Sequence, residues 1–166
     1  MKSQIALATA LAIACTAHVH AKDATMDQSF VTKASQGGAA EVALGKVAAT
    51  QGTMEDVKSF AKHMVDDHGK ANDALKSAAS AGGFTVASGP SVQQKADAAK
   101  LTSMQGKAFD QAYATAMVKD HSETIALFEK EIKSGQDAKL KAFAEETLPT
   151  LKEHAKMAAE MKAATK

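Results

Sequence analysis

Arginine and tryptophan are absent from this 166-residue chain, cysteine and tyrosine occur once each, and proline occurs twice. Without arginine, with few aromatics and with charge near neutral, the chain lacks the basic and stacking surface of a nucleic-acid binder. A single cysteine, Cys15, rules out an intrachain disulfide, and no Cys-x-x-Cys-His is present to attach haem covalently. Neither a phosphate loop nor a nucleophile motif occurs. Long hydrophobic runs are also missing. The one apolar stretch, Ile5 to Ala14, falls short of the roughly 20 residues that span a bilayer as a helix.

That stretch has another reading. Lys2 is the only charge before Lys22, and the run between them is rich in Ala and Leu, as in a secretory signal. Val19 and Ala21 fit the small-residue positions before a cut. We therefore expect a signal peptide over 1–21 and one domain over 22–166, with no transmembrane span in the mature chain, placed in the periplasm. Outer-membrane lipoprotein processing at Cys15 is less favoured, because Ala12 stands where a lipobox carries Leu. About 145 mature residues suffice for one buried core. Loss of Lys2 brings the basic count from 20 to 19, equal to the 19 acids. His18 and His20 leave with the signal, so His63, His68, His121 and His154 remain.

Ala, Lys, Glu, Met and Leu dominate the remainder and favour helix. Four stretches carry an apolar stripe of 3.6-residue period. The first, about Met26–Thr50, presents Phe30, Ala34, Gly37, Glu41, Leu44 and Ala48. The second, about Thr53–Ala81, presents Val57, Phe60, Met64, His68, Ala71 and Leu75, with Thr53 and Asp56 resembling a capping box and Gly82-Gly83 as its stop. The third begins after Pro90 and runs to Ser134, presenting Phe109, Tyr113, Met117, His121, Ile125, Phe128 and Ile132. The fourth, about Asp137–Ala164, presents Leu140, Phe143, Thr147, Leu151, His154, Ala158 and Met161; Pro149 should kink it.

Turns near Gln51-Gly52 and Ser134-Gly135 predict two antiparallel hairpins. The longer Gly82–Gln94 connection predicts the crossover of a ferritin-like four-helix bundle, with a plain up-down bundle as the rival. Residues 84–105 fit either helix or loop. Ala61–His68 and Ala114–His121 share Met-Val-x-Asp-His, too short an echo to establish a duplication.

Each stripe carries one ligand-type residue: Glu41, His68, His121 and His154. A buried carboxylate is costly unless paired or bound to a cation, and three imidazoles with a carboxylate suit Zn, Cu or Fe better than Mg or Ca. Asp67, Asp120 and Glu153 each precede a histidine and are candidates to flank the site. Counting from the turns offsets Glu41 from His68, and His121 from His154, by roughly 9 Å at 1.5 Å per residue, so convergence is not guaranteed. His63 lies level with Glu41 on another face. Met64 and Met117 precede histidines by four residues, and Met157 follows His154 by three; thioether with imidazole suits copper, although Met is also an ordinary core filler. Haem is not expected. A di-iron oxidase needs Glu-x-x-His on two helices, and here Val65, Val118 and Leu151 occupy the carboxylate positions, which disfavours an enzyme of that kind.

These residues resemble the domain of unknown function 4142 family. The resemblance rests on Glu41-Val42-Ala43-Leu44-Gly45-Lys46, on Val57-Lys58-Ser59-Phe60-Ala61 with Met64-Val65-Asp66-Asp67-His68, and on Phe109-Asp110-Gln111-Ala112-Tyr113 with Asp120-His121. Leu140–Ala144, Thr147–Leu151 and His154 complete it. It implies an exported bacterial protein of ferritin-like fold, periplasmic or outer-membrane, with Glu41, His68, His121 and His154 as its characteristic residues. It implies no activity. The expected function is transition-metal binding for buffering, storage or sensing; the alternative is a non-metal envelope interaction or stress-protection protein, with a protein partner in the envelope, whose histidines are structural.

Overall fold

The computed structural model describes the backbone of residues 17–166 and the side chains from residue 26 onward. The apolar run of the expected signal and Cys15 lie outside the described residues. Five α-helices and no strands make up the described chain: α1 (Ala17–Gln51), α2 (Glu55–Gly82), α3 (Val92–Thr102), α4 (Gly106–Ser134) and α5 (Ala138–Ala164). None is long and apolar enough to cross a membrane, among the described residues.

The expectation of four helices is corrected to five. The third stretch is two helices, because the chain breaks at Ser103–Gln105 and Gly106 adopts φ 58°, a left-handed conformation that glycine takes without strain. The segment left open, 84–105, is thus partly helical. Ser91 starts α3 with a capping box: its hydroxyl accepts from Gln94 N, and Gln94 Oε1 accepts from Ser91 N. Helix α1 begins at Ala17 rather than near Met26, since no Gly or Pro interrupts 17–25. Helix α5 is continuous through Pro149. Gly83, at φ 76°, ends α2 as expected.

The expected Thr53–Asp56 capping box is not formed. Asp110 of α4 takes that role from across the fold. Its buried carboxylate accepts from the backbone N–H groups of Thr53 and Met54 and from the Thr53 hydroxyl. Asp27 of α1 does the same at the opposite end, accepting from Gln136 N and Asp137 N just before α5. Each hairpin therefore lends an aspartate to the start of the other hairpin's second helix, where free N–H groups and the helix dipole favour an anion.

Helix α1 lies against α2 and α4, and α5 against α4 and α2. The connection carrying α3 follows α1 along its length: Gln28 exchanges two hydrogen bonds with Thr85, Ser35 Oγ accepts from Ala87 N, and Gln51 donates to Thr102 O and Met104 O. The caps and this strap make α2 and α4 run in one direction and α1 and α5 in the other.

Helices α1 and α2 approach closely at glycine. A Cβ on Gly45 would stand 2.9 Å from the Ala61 carbonyl oxygen of α2. Apolar packing falls into two clusters. One holds Phe60, Met64, Phe109, Tyr113, Met117 and Met161. The other holds Phe30, Leu75, Leu140 and Leu151, with Phe128 and Phe143 completing a triad of rings whose centroids lie 5.0–6.3 Å apart. Most stripe residues are buried; Ile132 is an exception, its neighbour Glu131 turning inward instead. Glu41, His68, His121 and His154 belong to neither cluster and separate the two.

Candidate metal centre

His68, His121 and His154 meet in the interior, 5%, 0% and 3% exposed. Their ring centroids form a nearly equilateral triangle of 5.4–5.6 Å sides. One ring nitrogen from each lies within 4.8 Å of the other two. Phe60 closes the apolar side, 6.0 Å from His121 and 6.3 Å from His154 between centroids.

The expected axial offsets are absorbed by the direction of the side chains. Each Cα–Cβ bond on a helix tilts toward that helix's N-terminus. On antiparallel neighbours the tilts oppose, so Glu41 leans away from the α1–α2 turn while His68, farther from that turn, leans back toward it. The same opposition closes the gap between His121 and His154.

Every ring is held from outside. Glu41 Oε2 stands 3.0 Å from His68 Nδ1, and its Oε1 stands 3.7 Å from His121 Nδ1. His121 Nδ1 is 2.9 Å from the Met117 carbonyl oxygen, which fixes it as the donor. His154 Nε2 is 3.2 Å from Asp67 Oδ2. The remaining nitrogens, His68 Nε2, His121 Nε2 and His154 Nδ1, are buried and have no hydrogen-bond partner. A buried polar atom without a partner costs about 1–3 kcal/mol, and here each of the three rings carries one.

The charges follow the same arrangement. Burial alone would raise the Glu41 carboxyl, but His68, with His121 and His154 behind it, holds it below the ordinary carboxylate range. Burial alone would lower His68, yet the Glu41 charge and hydrogen bond raise it. Burial lowers His121, against the pull of Glu41. Burial, with the His68 charge, pushes His154 down to about 4. Burial, reinforced by Glu41, lifts Asp120 to about 6.

The other candidates separate by position. Asp67 supports His154 of another helix rather than its sequence neighbour His68. His63 is half-exposed and 3.8 Å from Asp67. Met64 and Met117 are buried, the latter serving through its carbonyl; Met157 is half-buried and Glu153 exposed. Sequence reasoning missed Asp27, Asp110 and Glu131, all buried. Asp27 and Asp110 each precede an aromatic by three residues, Phe30 and Tyr113, a signal visible in the chain. Tyr113 has a buried hydroxyl with no partner, held above its usual range by burial and then by Glu41.

Imidazole nitrogens ligate transition ions at about 2.0–2.1 Å, which sets them roughly 3.3 Å apart around a tetrahedral ion. Three convergent nitrogens within 4.8 Å, each on a ring steered by an outer acceptor, can close on one such ion. No curated protein and no solved structure matches the chain significantly. The model of one family, described as Domain of unknown function (DUF4142), matches residues 13–161, and the chain belongs to that family.

Proposed function

We propose that this is an exported envelope protein that binds one transition-metal ion through His68 Nε2, His121 Nε2 and His154 Nδ1, for buffering, storage or sensing. The observation that carries the reading is that the three rings meet with one nitrogen of each within 4.8 Å of the others, while on each ring one nitrogen is engaged and the other is buried and bare. In this reading Glu41 orients His68 from behind and adds its charge beside His121, rather than serving as a fourth ligand. Such outer partners fix the tautomer and raise ligand basicity. An all-imidazole set selects Zn, Cu or Fe over Mg or Ca. Val65, Val118 and Leu151 supply no bridging carboxylates, which favours binding over di-iron oxygen chemistry.

The architecture belongs to the same proposal. The hairpins α1–α2 and α4–α5, joined by a connection that carries α3 along α1, fit a ferritin-like four-helix bundle with one helix in its crossover. Export rests on Lys2, the Ile5–Ala14 run and the small residues Val19 and Ala21. The alternative, an envelope interaction or stress-protection protein with structural histidines, accounts for Glu41–His68 and Asp67–His154 but leaves the three buried, partnerless nitrogens unexplained.

Elemental analysis of the protein purified from the periplasm, without chelator or His-tag, tests the reading beside His68→Ala and His121→Ala. Near-stoichiometric zinc, copper or iron, lost in both variants, is expected. No metal in any sample, with no thermal shift on adding each ion, sinks it and leaves the structural reading.

A further inference from the structure

A cleft of about 530 Å³ opens between α1 and α4, lined among others by Lys33, Gly37, Asp120, Glu123 and Thr124, with Glu41 at its floor. An inner cavity of about 30 Å³ shares Lys33, Gly37, Glu41 and Thr124 with it and adds His68. The two spaces thus meet at Gly37 and Glu41. That inner volume is enough for a water or a single ion. Glu41 is 3% exposed and lines both spaces; its Oε1 has no hydrogen-bond partner and stands 3.7 Å from His121 Nδ1. A buried carboxylate oxygen without a hydrogen bond, between an open cleft and an imidazole cluster, is a way-station suited to a cation.

We propose that the α1–α4 cleft is the route by which a transition-metal cation exchanges with the histidine cluster, that Glu41 Oε1 receives the ion on its way, and that Gly37 keeps the route open. This rests on the metal reading above. Gly37 is half-buried, and a Cβ placed on it would meet nothing within 4 Å, so the missing side chain leaves a gap that packing does not require. Gly45, on the same helix, differs: there the gap is filled by α2. Three carboxylates, Glu41, Asp120 and Glu123, line the cleft against two ammonium groups, Lys33 and Lys130, and Glu41 and Asp120 lie nearest the histidines in contact or in sequence.

The test is stopped-flow uptake of Co²⁺ alone, followed by its visible absorbance, in the wild type, in Gly37→Ala, Gly37→Leu and Gly37→Phe, and in Ala43→Leu as a control on an exposed face of α1. Both binding and release should slow with side-chain size, by about tenfold or more in Gly37→Leu, since passage then waits on a local opening. The dissociation constant should stay unchanged, and Ala43→Leu should match the wild type. Thermal melts identify any variant that fails to fold, and the smaller substitutions then carry the series. Wild-type rates in folded Gly37→Leu overturn the route while leaving the metal site standing. Absence of any Co²⁺ spectrum in the wild type overturns both.

Discussion

Glu41 and His68 face each other from antiparallel helices with 3.0 Å between Oε2 and Nδ1, and both are buried. Neither residue is near the other in sequence, and each removes the other's burial cost. Glu41 keeps its charge in the interior because His68 is there, and His68 keeps Nε2 free because Glu41 holds Nδ1.

Loss of that support should weaken the site without abolishing it. Glu41→Gln is expected to reduce metal affinity by about 10–100-fold, the usual cost of losing an outer-shell partner. His121→Ala should remove binding altogether, because it deletes one of the three bare nitrogens. Competition with a chromophoric chelator measures both, and equal affinities for Glu41→Gln and the wild type would deny Glu41 its orienting role.

The aspartate caps make a prediction about the scaffold. Asp110→Ala leaves the Thr53 and Met54 N–H groups and the Thr53 hydroxyl without their acceptor. Destabilisation of about 1–3 kcal/mol is expected, with partial recovery in Asp110→Asn. Urea unfolding followed by circular dichroism gives the value. Asp27→Ala should behave alike at the other end.

Two glycines on α1 should respond to alanine with opposite signs. Gly45→Ala forces a methyl against the Ala61 carbonyl and should cost about 1–3 kcal/mol. Gly37→Ala meets open space and should gain about 0.5–1 kcal/mol from helix propensity. Thermal melts of the two variants settle the contrast.

Stability should also depend on pH through Glu131. Burial, then the neighbouring Asp27 and its hydrogen bond, with Asp137 adding and Lys141 opposing, lift its carboxyl from 4.5 to about 7. A carboxyl raised on folding binds its proton more tightly in the native state, so its stabilisation is complete below about 4.5 and is lost as pH rises through about 7. Glu131→Gln, which imitates the protonated form, should raise Tm relative to the wild type at pH 8 and change it little at pH 5. Equal Tm differences at the two pH values would remove Glu131 from the account.

Much of this molecule was legible in its sequence. The 3.6-residue stripes located α1, α2, α4 and α5, and the ligand-type residues stood out because each interrupted an apolar face. Other features were hidden for identifiable reasons. The break at Gly106 carries no proline, and the Ser91–Gln94 capping box lies in a segment without a strong apolar stripe. The Thr53 signal misled because its acceptor sits 57 residues away on Asp110.

The sequence by itself determined that the chain is helical and that one carboxylate and three histidines sit on buried faces, because periodicity and side-chain chemistry are local properties. Only the tertiary structure decided that the three rings meet and which nitrogen of each is engaged and which left bare. That depends on the opposed lean of side chains on antiparallel helices, on a register locked by caps as distant as Asp27 and Gln136, and on outer partners contributed by other helices, as Glu41 and Asp67 are.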